Sequence, residues 1–254
     1  MTKHWLHKYN LLMYDHVDST NATALRLMQS GVKGNYIIFS KQQTEGKSRY
    51  GSEWFSPKGN FFLSLLLEPT FTVQSGAELS FVTSLAIRDA LTSVLGLNYL
   101  DINFKWPNTI LLNGKEIGGV LLESSSTPQK NIPNWFIIGV GINLIHYQEG
   151  GDFPSTSLKN EGFGEIPSDL LLNAFMESFA NRYNVWRNRG FAVLKLEWLK
   201  SAFNLNKTIT VLFKGQKLTG TFEGIDDVGS LLMRLEDGHF QKVIAGEVFF
   251  EPRS

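Results

Sequence analysis

The pattern of apolar residues changes near residue 203, and this change limits the possible folds more than any other feature of the sequence. Before it, short apolar runs such as 36–39 and 61–67 alternate with stretches of helical periodicity. After it, only short runs follow one another between Gly and Asp-Gly turns, a pattern typical of a small barrel. The sequence therefore predicts an α+β domain over residues 1–202, with a mixed β-sheet and helices packed on it, and a small all-β domain over residues 203–254.

Capping and turn residues place several elements. Asp18-Ser19-Thr20-Asn21 supplies favoured N-cap side chains, so a helix is predicted to follow it and to end near Gly31. Asn113-Gly114 lies between two apolar runs and predicts a β-hairpin. Three further helices are predicted: one over 79–94 that ends near Gly96, a long one that begins at Ser168, and a shorter one that runs through Trp198. Further strands are predicted over 36–39, 61–67, 102–106, 135–140, 209–213, 218–222, 231–235 and 240–244. A turn is predicted at Lys214-Gly215.

The composition excludes several classes of function. Lys and Arg total 24, as do Asp and Glu, so the basic excess typical of a nucleic-acid partner is missing and no DNA binding is expected. The chain has no cysteine and no apolar run long enough to cross a membrane. The N-terminal segment lacks the features of a signal peptide, so a cytoplasmic protein without a membrane partner is expected.

Three loop segments carry cations that could act together. Gly46-Lys47-Ser48 is not a phosphate-binding P-loop, because that motif requires a glycine where Lys41 stands. Lys47 and Arg49, Lys105, and Lys115 belong to three separate segments, and each segment alone also fits an ordinary turn, strand end or hairpin tip. Together they suit an enzyme that joins a carboxylate to ATP, because this reaction brings two anions into contact.

The ordered motifs resemble those of the biotin–protein ligase family over nearly the whole chain. Six segments carry the resemblance, and their order matters more than any one of them. They are Asp18-Ser19-Thr20-Asn21, the loop from Gln43 to Trp54, Lys105-Trp106-Pro107-Asn108, Gly114 to Glu123, Gly139-Val140-Gly141-Ile142-Asn143, and the tail with Gly220, Gly224-Ile225-Asp226, Gly229-Ser230-Leu231 and Gly246-Glu247.

The resemblance implies a catalytic domain of the biotin/lipoate ligase type, related to class II aminoacyl-tRNA synthetases, and an SH3-like C-terminal barrel. It implies that biotin and ATP are substrates, with Mg²⁺ offsetting phosphate charge. Biotin would be activated as biotinyl-5'-AMP and transferred to a lysine of a biotin carboxyl carrier protein, a subunit of a biotin-dependent carboxylase. Monomer and homodimer both remain open. Only the residues before Asp18 precede the first motif, so the N-terminal DNA-binding domain of bifunctional members is expected to be absent.

The resemblance also assigns roles to individual residues. Arg49, Lys105 and Lys115 would be catalytic, and no residue is predicted to bind a metal directly. The other roles concern the two substrates. Biotin would be bound by Ser19, Thr20, Asn21, Gln43, Lys47, Ser48, Arg49 and Gly119, and ATP by Trp54, Asn108, Asn143 and Lys115.

The sequence departs from the family pattern at three places. Lys47-Ser48 replaces Arg-Gly in the loop, and Ser52 replaces a frequent arginine. Thr109 stands where the family has aspartate, and Glu116 stands where a lysine is usual, with Lys115 one position earlier. A one-residue step moves a strand side chain to the other face, so Lys115 reaches the site only if the hairpin shifts or bulges.

Two alternatives follow. A lipoate–protein ligase shares the catalytic fold and the adenylate chemistry, although the segment from Lys105 to Asn108 and the C-terminal barrel favour biotin. A catalytically impaired relative that binds biotin is the second alternative, and the residues at positions 109 and 116 motivate it.

Overall fold

A seven-stranded mixed sheet forms the centre of the larger domain. The computed structural model describes residues 8–97, 100–125, 131–151, 153–213, 215–244 and 247–249. The strand order is β1-β2-β3-β7-β6-β5-β4; β1 and β2 are parallel, and the other neighbours are antiparallel. The strands are β1 Asn10–Tyr14, β2 Tyr36–Ser40, β3 Phe61–Leu67, β4 Ile102–Lys105, β5 Thr109–Leu112, β6 Lys115–Ser124 and β7 Phe136–Ile142.

The helices begin and end close to where the capping residues predict. Ser19 is the N-cap of α1 and accepts a hydrogen bond from the Ala22 backbone N–H. Gly96 ends α3 in the left-handed conformation, with φ of 63°. Both ends therefore follow from local sequence. The helices are α1 Thr20–Gln29, α2 Val73–Ala77, α3 Leu79–Leu95, α4 Ser168–Arg189 and α5 Phe191–Lys200.

The hairpin between β5 and β6 contains a bulge. Asn113 and Gly114 both have positive φ, 51° and 75°, as the predicted tight turn requires. Leu111 pairs with Glu116 whereas Ile110 pairs with Gly118, so Ile117 is the extra residue on β6. This bulge changes the alternation of side chains next to Lys115 and Glu116. It therefore bears on which of these two side chains faces the site, a point that the sequence does not decide.

The C-terminal strands form a second sheet that shares its core with the larger domain. Its order is β11-β10-β9-β8-β12, and all pairs are antiparallel. The indole N–H of Trp106 donates a 2.9 Å hydrogen bond to the Gly229 carbonyl oxygen, and the ring of Phe81 lies directly against Gly229. The small sheet is therefore bound to the wall of the larger domain. Its strands are β8 Thr208–Phe213, β9 Gln216–Ile225, β10 Leu231–Leu235, β11 Phe240–Val243 and β12 Glu247–Phe249.

The fold agrees with the predicted α+β class and with a small all-β unit after it. Three elements that the sequence does not predict are the edge strand β1, the short helix α2 and the last strand β12. Lys214 in the predicted turn lies outside the described residues. No helix of the described part of the chain is long and apolar enough to span a membrane.

Candidate active site

One cavity opens on the central sheet between the start of α1, the loop before β3 and the β5–β6 hairpin. Most of the residues predicted to form the site share its wall. Of these, the cavity wall includes Ser19, Thr20, Asn21, Gln43, Lys47, Ser48, Arg49, Trp54, Lys105, Asn108 and Gly119, together with Ser52, Trp106, Pro107, Thr109, Glu116, Val120, Leu121, Gly139, Val140 and Gly141.

A network of short polar side chains forms one end of the cavity. The backbone N–H and the hydroxyl of Thr20 both donate to Gln43 Oε1, at 2.8 and 3.1 Å. Asn21 Nδ2 donates to Glu123 Oε2 at 2.6 Å, and Ser64 Oγ lies 2.5 Å from Asn21 Oδ1 and 2.7 Å from Thr20 Oγ1. These bonds hold donors and acceptors in fixed positions, which suits a neutral, polar heterocycle.

Two glycines of β7 leave space for two side chains of the site. A Cβ atom on Gly139 would lie 2.4 Å from Asn21 Oδ1, and a Cβ on Gly141 would lie 2.5 Å from Trp54 Nε1. The Asn21 amide and the Trp54 indole therefore pack directly on the strand backbone. The indole N–H of Trp54 is buried and has no hydrogen-bond partner among the described residues. A buried donor without a partner in a cavity wall fits a site that a ligand completes.

The loop between Gly46 and Trp54 folds back on itself above the cavity. Its ends are joined by hydrogen bonds from the Trp54 N–H to the Gly46 carbonyl oxygen at 2.9 Å and from the Ser48 N–H to the Ser52 carbonyl oxygen at 2.8 Å. Ser48 Oγ and Ser52 Oγ lie 2.6 Å apart. A short 3₁₀ turn, Arg49–Gly51, carries Arg49 at the cavity. The serines thus define the loop geometry that presents the cation.

Lys105 and Glu116 bring opposite charges to the other end of the cavity. The Lys105 ammonium lies 4.3 Å from the centre of the Phe153 ring, a cation–π contact that orients it. Burial raises the pKa of the Glu116 carboxyl group, and the charge of Lys105 acts in the opposite direction. Lys47 and Arg49 from the loop add two further positive charges. Such an end can stabilise phosphate and carboxylate oxygens together.

The structure does not bring Lys115 or Asn143 to the cavity wall. The Lys115 ammonium pairs with Glu161 at 3.0 Å, because the bulge at Ile117 leaves Glu116 facing the cavity and Lys115 facing outward. Asn143 is buried away from the cavity wall, and its Nδ2 donates to the Thr156 carbonyl oxygen at 3.2 Å. The hairpin contains the bulge that a role for Lys115 would require. With this bulge, however, the side chain of Glu116 faces the cavity, and that of Lys115 does not.

Glu161, the half-buried partner of Lys115, is expected to make an acid-sensitive contribution to stability. Hydrogen bonds from Asn113 and Thr156, with the contact to Lys115, lower the pKa of Glu161 from 4.5 to about 2. A lowered carboxyl pKa stabilises the fold above the unfolded value of 4.5, and this stabilisation is lost as the pH falls towards 2. We expect Glu161→Gln to unfold with a weaker pH dependence between pH 4.5 and 2 than the unmodified chain in urea titrations. Equal dependence in both proteins would contradict this assignment.

Comparisons with known proteins agree with the fold and identify the family. The protein-family model "Biotin/lipoate A/B protein ligase family" matches residues 53–200, and the protein-family model "Biotin protein ligase C terminal domain" matches residues 205–251. The biotin–[acetyl-CoA-carboxylase] ligase of Paracoccus denitrificans is 36% identical over 244 residues, covering 94% of this chain and 99% of that relative.

Solved structures give the same fold. A biotin protein ligase from Aquifex aeolicus in complex with biotin and ATP has a TM-score of 0.78 and 24% identity, with 94% of this chain and 97% of that chain covered. A biotin protein ligase from Leishmania major in complex with biotinyl-5-AMP has a TM-score of 0.65 and 25% identity, covering 93% and 99%.

The fold and the two family matches together define a ligase of the biotin/lipoate type. On the family match and the full-length similarity, the chain belongs to the biotin/lipoate A/B protein ligase family, and within it to the biotin protein ligases.

Several site residues could not be found from their own sequence segments. Ser64 and Glu123 fix Asn21 from β3 and β6, and no local motif links them to it. Gly139 and Gly141 are visible as a glycine pair, but their role depends on Asn21 and Trp54, which are distant in sequence.

Proposed function

We propose that this chain activates biotin with ATP as biotinyl-5'-AMP and transfers the biotinyl group to a specific lysine of a biotin carboxyl carrier protein. The observation that carries the proposal is the single cavity that collects the predicted biotin and ATP residues, with the exceptions of Lys115 and Asn143. The full-length similarity to a biotin–[acetyl-CoA-carboxylase] ligase supports the same activity.

The polar end of the cavity would bind the biotin ring. Thr20 is hydrogen-bonded directly to Gln43, and Asn21 is held by Glu123 and Ser64. These side chains therefore need little reorganisation when the ureido group enters. Ser19 and Gly119 complete the wall beside them. This end would discriminate by matched donors and acceptors, a mode in which a ligand lacking a partner group is rejected strongly.

The cationic end would bind the reacting groups. The biotin carboxylate oxygen attacks the α-phosphorus of ATP, and the bond to pyrophosphate breaks. Lys47, Arg49 and Lys105 would stabilise the charge that gathers on the phosphate oxygens. The Trp54 indole and the Asn108 amide, whose Nδ2 donates to the Val120 carbonyl oxygen at 2.7 Å, would line the nucleotide side.

Magnesium would enter with ATP as part of the substrate. The described residues contain no cluster of three or more His, Cys, Asp or Glu side chains that could hold a metal by themselves. Mg²⁺ commonly keeps several waters and binds substrate phosphates rather than a cage of protein ligands.

Isotope exchange between ATP and pyrophosphate tests the activation step. We expect exchange that depends on biotin and is absent with lipoate, because the fixed polar groups of the cavity are arranged for a ring with donors and acceptors. Exchange with lipoate alone would establish the lipoate ligase alternative. Biotin binding by calorimetry without any exchange would identify an impaired relative, the alternative that Thr109 and Glu116 motivate.

A further inference from the structure

Glu116 is a half-buried carboxylate that faces the cavity from β6, and it is the one acidic residue among the described residues of the cavity wall. Its backbone is fixed to the segment around Ser155, because its N–H donates to the Pro154 carbonyl oxygen at 2.8 Å and its carbonyl accepts from the Thr156 N–H at 2.9 Å. A negative charge beside phosphates would oppose their binding. Phosphate binding therefore does not explain the fixed position of the Glu116 carboxylate, whereas a chemical role would.

The transfer step has a need that a carboxylate can meet. The attacking lysine of an acceptor protein is an ammonium ion with a pKa near 10.4, so at pH 7 roughly one lysine in a few thousand is neutral. Only the neutral amine carries the electron pair that attacks a carbonyl. The cations of the cavity, Lys47, Arg49 and Lys105, cannot accept a proton at neutral pH.

We propose that Glu116 is the general base of the transfer step, a role that rests on the proposed ligase function. One proton passes from the lysine ammonium to the Glu116 carboxylate. The neutral nitrogen then forms its bond to the biotinyl carbonyl carbon, and the bond from that carbon to the AMP oxygen breaks. The second proton passes from the nitrogen to a phosphate oxygen of the departing AMP. The products are the amide, AMP and a protonated Glu116 that returns its proton to solvent.

The surroundings of Glu116 suit this role. Burial raises the pKa of its carboxyl group and makes the carboxylate a stronger base, while Lys105 at the end of β4 favours the ionised form. Lys47 and Arg49 face the same cavity from the loop, and Lys115 points away to Glu161. Phe153, Ser155 and Thr156 of the adjoining segment carry no titratable side chain.

A positioning role is the alternative. If Glu116 only oriented Lys105, its loss would disturb the phosphate oxygens, and the activation step would fall together with transfer. A general base acts after the adenylate has formed. The two half-reactions therefore respond differently under the two roles.

The experiment measures both half-reactions in Glu116→Gln, which keeps the size of the side chain. We expect transfer to a lysine of a carrier domain to slow by about 100-fold or more at pH 7, and ATP–pyrophosphate exchange to fall by less than about tenfold. The defect in transfer should shrink as the pH approaches 10, where solvent deprotonates the lysine. Hydroxylamine, an amine already neutral at pH 7, should capture the biotinyl group with a far smaller defect.

The controls separate the outcomes. Glu165→Gln removes an exposed carboxylate that pairs with Lys159 outside the cavity, and it should transfer at the unmodified rate. Equal losses of exchange and transfer in Glu116→Gln, or transfer at the unmodified rate, would overturn the proposal. No biotin-dependent exchange in the unmodified chain would instead overturn the ligase function on which it rests.

Discussion

Replacing Arg49 with alanine is expected to lower the rate of biotin transfer by about 100-fold or more, the effect typical of losing a donor that stabilises developing charge. Arg49 lies on the 3₁₀ turn of the loop and lines the cavity. Its guanidinium would hold the adenylate phosphate after activation. Loss of this contact should therefore also release biotinyl-5'-AMP into solution, which mass spectrometry of the filtrate can measure.

Two matched variants show whether the charge or its shape matters. Arg49→Lys keeps the positive charge but loses the forked geometry, so it should fall between the unmodified chain and Arg49→Ala. Arg189→Ala removes an exposed arginine from the last turn of α4 that does not line the cavity, and it should leave transfer unchanged. Full transfer by Arg49→Ala, or an equal loss in Arg189→Ala, would show that Arg49 does not hold the adenylate.

Alanine at Gly139 or Gly141 is expected to damage the two ends of the site separately. Asn21 cannot move away from a Cβ at position 139 without breaking its bonds to Glu123 and Ser64, so Gly139→Ala should raise the KM for biotin. A Cβ at position 141 displaces Trp54, so Gly141→Ala should raise the KM for ATP. A displacement near 1 Å can cost up to about 100-fold, and we expect at least about tenfold in each case.

The control for the glycine pair is Gly151→Ala, where the nearest heavy atom to the new Cβ would be the Phe153 carbonyl oxygen at 3.7 Å, an ordinary contact. Steady-state kinetics with biotin and ATP varied in turn should show little change in this variant. If Gly139→Ala and Gly141→Ala raised both KM values equally, the division of the cavity into a biotin end and a nucleotide end would be wrong.

Local chemistry explains which parts of the fold the sequence predicts. The N-cap at Ser19 and the C-terminal Gly96 act through backbone groups a few residues away, so their effect can be recognised without the tertiary structure. The turn at Asn113-Gly114 is equally local. The edge strand β1 has no such signal, because its residues are partly exposed without clear alternation and its pairing with β2 is a contact between distant segments.

The site residues likewise divide into those that local sequence identifies and those that depend on contacts between distant segments. Motifs identify the side chains on the loop and at the start of α1, but the side chain that the hairpin presents depends on one extra residue in β6. Because of the bulge at Ile117, Glu116 faces the cavity and Lys115 does not. Register irregularities of this kind follow from packing against neighbouring strands. Asn143 likewise turns to Thr156 because the segment after β7 offers it a buried carbonyl oxygen.

The most direct test of the ligase function is the mass of a biotin carboxyl carrier domain after incubation with the purified chain, biotin and Mg-ATP. We predict a gain of one biotinyl group that requires ATP and is strongly reduced with Arg49→Ala. An unchanged mass, measured with a carrier domain that another biotin ligase modifies under the same conditions, would contradict the proposed function.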